Sequence, residues 1–78
     1  MKDFINKLVS YIIPDEIPFE IKEESGEGVN IYTILVPETE IGKVVGKEGK
    51  VINALRTICR LKAGKDQQRI VLKVDKLQ

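Results

Sequence analysis

Two glycines three residues apart, Gly46 and Gly49, interrupt a stretch that otherwise reads as helix. Before them, Glu40 to Val45 fits a very short helix. After them, Lys50 to Ala63 gathers Val51, Ile52, Ala54, Leu55, Ile58, Cys59 and Leu61 on one half of a helix, with Asn53, Arg56, Thr57 and Arg60 on the other. A glycine inside a helix costs about 1 kcal/mol relative to alanine, so this pair separates two helices. Any fold for the chain must hold a short helix, a tight break and a longer helix that Gly64 caps.

The remaining elements supply a sheet for those helices. Phe4, Ile5, Leu8, Val9, Ile12 and Ile13 recur at spacings of three and four, predicting a first helix from about Lys2 to Ile13, stopped by Pro14. Phe19 and Ile21 alternate with Glu20 and Lys22, predicting a half-exposed strand over Phe19 to Glu24; Ser25-Gly26-Glu27-Gly28 is the turn. Val29 to Val36 is apolar at both alternating sets, as in a central strand. Pro37 stops it, and Thr39 is the expected N-cap of the short helix, with Glu38 and Glu40 near its positive end. The last strand, Arg69 to Asp75, turns Ile70, Leu72 and Val74 to the core. A strand reached through helices lies parallel to the one it left. The expected architecture is α+β, a three-stranded mixed sheet with three helices packed on one face in the order α-β-β-α-α-β, one domain over residues 1–78.

Composition narrows the chemistry. There is no histidine and one cysteine, Cys59, so the usual zinc sites and the histidine-dependent nucleophiles are excluded, and no cofactor or enzymatic activity is expected. Cys59 lies on the apolar half of its helix and reads as a core residue. The N-terminal stretch mixes Lys2, Asp3, Asn6 and Lys7 with its apolar residues and has no cleavage site, and no apolar run is long enough to insert in a membrane; a cytoplasmic protein is expected. The net charge of +1 conceals a division. Residues 1–42 carry three lysines against nine acids, a net of −6, whereas residues 43–78 carry ten Lys and Arg against three acids, a net of +7. Polyanions respond to such a local field, not to the sum.

The break between the helices lies in the basic part. Gly46 and Gly49 permit positive φ and close backbone approach, and the first turn of the next helix offers free N–H groups suited to phosphate oxygens. Lys43, Lys47 and Lys50 surround the loop, and Ile41, Val44, Val45 and Ile52 flank it as apolar groups able to receive unstacked bases. A nucleotide P-loop would need glycine at Ile41 and Ser or Thr at Glu48; a dinucleotide fingerprint would need glycine at Val44. Neither fits. A tight helix-to-helix turn without function is the plain alternative.

Val44-Val45-Gly46-Lys47-Glu48-Gly49-Lys50-Val51-Ile52 resembles the V-I-G-K-x-G-x-x-I signature of KH domains. Ile41-Gly42-Lys43 and Ala54-Leu55-Arg56-Thr57-Ile58 resemble more narrowly the KhpA family of small bacterial RNA-binding proteins. Val45 stands where isoleucine is usual, and Glu48 places an acid in the loop. The resemblance implies the type II KH fold, single-stranded RNA gripped through Gly46 to Gly49 over about four nucleotides, and a role as post-transcriptional regulator or RNA chaperone. Carried onto this chain, the RNA-binding residues are Ile41, Lys43, Val44, Val45, Gly46, Lys47, Glu48, Gly49, Lys50 and Ile52, extended by Arg56, Lys65 and Arg69. It also implies partners: a homodimer, or a heterodimer with a larger KH protein of the KhpB kind. A protein-interaction module with secondary RNA contact is the alternative function.

Overall fold

The computed structural model describes residues 1–64 and 69–77. Helix α1 (Lys2–Ser10) precedes a hairpin of β1 (Glu20–Gly26) and β2 (Val29–Val36). A 3-10 turn (Glu38–Glu40) enters α2 (Ile41–Val45), a second 3-10 turn (Lys47–Gly49) joins it to α3 (Lys50–Ala63), and β3 (Arg69–Lys76) closes the sheet. The strands lie in the order β1-β2-β3, with β1 antiparallel and β3 parallel to β2. The expected α+β order and mixed sheet are those of the structure.

Alternation along the strands decides where the core sits. Ile21, Tyr32, Ile34, Val36 and Leu72 turn to one face and are buried with Ile5, Val9 and Ile13 from the N-terminal segment and Val44, Ile52, Leu55 and Cys59 from α2 and α3. Val29, Ile31, Leu35 and Val71, on the opposite face, stand outside that core. The helices therefore cover one face only. Tyr32 is buried and its hydroxyl donates to Glu23 Oε2 at 3.2 Å. Burial raises its pKa, as it does that of the Cys59 thiol, which is thereby kept from reactive thiolate form. No helix among the described residues is long and apolar enough to cross a membrane.

Several boundaries depart from expectation for local reasons. Helix α1 ends at Ser10, not Ile13: the N–H groups of Ile12 and Ile13 both reach Val9 O at 2.9 Å, a tightened turn that still delivers Ile13 to the core. Pro14 disfavours helical backbone in the residue before it. The hairpin ladder continues to Gly26 opposite Val29, past the expected end at Glu24, and Ser25 Oγ bonds Asn30 Oδ1 at 3.0 Å. Thr39 is not the cap of α2; it lies inside the 3-10 turn, and Glu40 holds the N-cap position without a side-chain cap bond. On α3 the buried stripe is narrower than the apolar half of its sequence. Ile52, Leu55 and Cys59 are buried, whereas Ala54, Ile58 (38% exposed) and Leu61 (77% exposed) face outward, about 130° around the helix.

Candidate nucleic-acid interface

Helix α2 stops where Gly46 N–H bonds Gly42 O at 2.8 Å and Gly46 adopts φ 79°, ψ 168°. That backbone is essentially glycine-only, and a side chain there would run into Val51, whose backbone N lies 2.8 Å from an ideal Cβ position. The chain then reverses within three residues. Gly49 N–H bonds Gly46 O at 3.1 Å, Glu48 takes φ 57°, ψ 25°, and Gly49 takes φ 77°, ψ 13° as the N-cap of α3. No side chain caps that helix start, so its first-turn N–H groups face the loop. Lys47, Glu48 and Lys50 are exposed around them.

Lys43 is partly committed: its Nζ lies 3.2 Å from Oε1 of Glu40, a carboxylate that is itself buried. Two of the four apolar flanks must be corrected. Val44 is fully buried and Ile52 is 6% exposed, so both serve the core and neither is open to a base. Both lie on the helix faces turned to the sheet, where burial of an isoleucine or valine contributes about 1.5–3 kcal/mol. Ile41 and Val45 are half-buried and keep an accessible edge.

Farther along α3, a groove of about 660 Å³ runs between α3 and β3, lined by Arg56, Arg60, Gly64, Arg69 and the stretch Ile70 to Lys73. β3 is an edge strand, so half of its polar backbone lacks a sheet partner. Like Arg60 one helical turn on, Arg56 is open on sequence grounds either to lengthening an RNA path or to solvating the helix. It is instead tied to that edge: Nε and Nη2 donate to Leu72 O at 3.3 and 3.1 Å, and Nη1 donates to Asn53 Oδ1 at 3.0 Å. Arg69 joins it on the groove wall; Lys65 lies outside the described residues. Arg60, paired with Arg56 on sequence grounds, lines the groove too, and Lys73 lines it without any signal in the sequence. Arg60 was legible as the residue one helical turn after Arg56. Lys73 was hidden, because alternation assigns it to the face away from the helices and only its edge position lets it reach the groove.

Glu48 is the non-glycine residue with positive φ among the described residues. Left-handed backbone costs an ordinary residue about 1–2 kcal/mol but suits asparagine. We expect Glu48→Asn to raise unfolding stability by about 0.5–1 kcal/mol and to tighten binding of a polyanion. Denaturant titration checks the first part; a loss of stability would show that the carboxylate makes a favourable contact.

The family model described as KhpA/KhpB, KH domain, matches residues 2–74. Among curated relatives, the RNA-binding protein KhpA of Chlamydia muridarum is 34% identical over 76 residues, covering 95% of each chain. The proteins of that name from Thermotoga maritima and Clostridium acetobutylicum are 31% and 30% identical, with 95% of this chain and 97% and 99% of theirs covered. With the element order, the glycine loop and these matches in agreement, the chain belongs to the KhpA/KhpB family of KH domains, which is not an enzyme family.

Proposed function

We propose that this protein binds single-stranded RNA, holding the backbone of about four nucleotides at Gly46 to Gly49 and laying their bases along the groove between α3 and the free edge of β3. The observation that carries the proposal is the uncapped start of α3 at a left-handed glycine loop, beside exposed Lys47 and Lys50, with an arginine-lined groove farther along the same helix. The relatives' name, RNA-binding protein KhpA, supports it. With Val44 and Ile52 in the core, apolar contact with a base falls to Ile41 and Val45, and the backbone of β3 supplies hydrogen bonds. On this reading the protein is a post-transcriptional regulator or RNA chaperone of the cytoplasm.

Affinity for a short single strand should exceed that for a duplex of the same sequence at moderate salt, because an edge strand can read a base only when it is unpaired. The log-log salt slope should be about −0.7 per phosphate neutralised. Fluorescence anisotropy with labelled oligonucleotides measures both. Equal or tighter duplex binding would leave only a general basic patch.

A second activity, pairing with another copy or with a larger KH protein, is favoured by the outward stripe of Ala54, Ile58 and Leu61 on α3. A four-base reader has little information content, and a partner would add avidity.

A further inference from the structure

The hydrogen bonds at the middle of β3 bear on which bases the groove accepts. Alternate residues of a strand turn their N–H and C=O to opposite edges. Arg69 N–H points inward to Gly28 O at 3.0 Å, so the N–H and C=O of Ile70, Leu72 and Val74 face outward along the free edge of the sheet. Leu72 O is not open there. Nε and Nη2 of Arg56 both donate to it, at 3.3 and 3.1 Å, and take up the two lone pairs of the carbonyl oxygen. Nη1 of the same guanidinium is anchored on Asn53 Oδ1 at 3.0 Å. Arginine carries five N–H donors; three are spent here, so the guanidinium keeps two for a ligand. An edge position that would ordinarily offer a donor and an acceptor thus presents donors alone, the Leu72 N–H and the remaining N–H groups of Arg56.

The surrounding side chains have the same character. Arg60, Arg69 and Lys73 line the groove with Arg56, and among the described residues no acidic side chain lines it. Neither arginine nor lysine can accept a hydrogen bond.

We propose, building on the RNA-binding reading above, that the groove selects bases by their carbonyl oxygens, taking guanine and uracil in preference to adenine and cytosine, and that Arg56 sets this preference by covering Leu72 O. Guanine offers O6 beside N7, and uracil offers O4, as acceptors; adenine and cytosine carry an amino group at the corresponding position. In the groove that amino group would meet N–H donors and lose the acceptor it has in water, and a donor left without a partner is costly. The ring acceptors of adenine and cytosine remain, so the discrimination is about tenfold for one base position. A phosphate would also suit a cationic groove, but a phosphate contact carries no sequence information.

Fluorescence anisotropy of the full chain tests the proposal, with labelled strands of alternating G and U and of alternating A and C, equal in length and at the same moderate salt. The backbone contribution is then the same for both. The G/U strand should bind about tenfold more tightly. Arg56→Met, which uncovers Leu72 O as an acceptor, should abolish the preference. Arg60→Met, which removes a cation from the same wall and leaves the carbonyl covered, should weaken both strands alike and keep the ratio. The ratio of the parent protein decides alone where a variant loses its circular dichroism signal. Equal binding of the two strands by the parent, or tighter binding of the A/C strand, would overturn the inference while leaving RNA binding intact. So would a ratio that the two variants lower equally, since charge alone would then account for it. Binding of neither strand would remove the RNA-binding reading and the preference together.

Discussion

Replacing Lys47 and Glu48 together by aspartate should reduce single-stranded RNA binding by at least about 100-fold while the thermal midpoint moves little. Both side chains are exposed and neither contributes to the core, so the substitution acts through charge. The positive charge of Lys47 is lost and an acid takes its place, three residues before the uncapped start of α3. Two unit charges of like sign 4 Å apart repel by about 4 kcal/mol at an effective dielectric of 20, and 100-fold corresponds to about 2.7 kcal/mol, so one such contact suffices. Aspartate tolerates the left-handed backbone of position 48 better than glutamate does, which protects the fold. Electrophoretic mobility shifts and circular dichroism read the two halves. A loss of only a few-fold would mean that the groove, not the loop, holds the RNA; loss of helical signal would make the loop structural.

Gly46→Ala should act on the fold itself. The backbone of Gly46 is one that side chains avoid at a cost of about 1–3 kcal/mol, and its Cβ would collide with Val51 at both side chain and backbone. Val51 is the second residue of α3, so relief of the clash displaces the start of that helix. We expect a loss of about 3 kcal/mol and a fall in Tm of about 10–20 °C, a large share of the roughly 4–12 kcal/mol available to a chain of this size. Gly49 offers the internal comparison. A Cβ there finds Asn53 Nδ2 no nearer than 3.6 Å, so Gly49→Ala carries mainly the left-handed backbone cost of about 1–2 kcal/mol. Calorimetry on both variants checks the order, and a Gly46→Ala protein as stable as the parent would refute the steric account.

What could be read from residues alone follows the range of the interaction. The strands and the paired helices around Gly46 and Gly49 were legible because periodicity and backbone preference are local. The loop proposed as the site was legible for the same reason. The end of α1 was not, because Ile12 and Ile13 keep the apolar spacing while the chain tightens into a turn before Pro14. The face of α3 was ambiguous: Leu55 and Leu61 are alike in chemistry, and only tertiary packing buries one and exposes the other. Val44 and Ile52 posed the converse problem, since proximity to a loop in sequence does not reveal which way a side chain turns. The bond from Arg56 to Leu72 joins residues 16 apart across two elements, and no local pattern announces such a contact.

The parallel pairing of β2 with β3 makes the groove between α3 and β3 a late product of folding. The β1-β2 hairpin closes over a two-residue turn, an event of about 1–10 μs. β3 reaches β2 only when the chain has closed from Val36 to Arg69, and the entropy of so long a closure must be met before its contacts stabilise anything. One groove wall and the Leu72 carbonyl that holds Arg56 arrive with that strand. In the reverse direction, release of β3 from the sheet edge dissolves the groove, so amide exchange along β3 reports how often the groove comes apart.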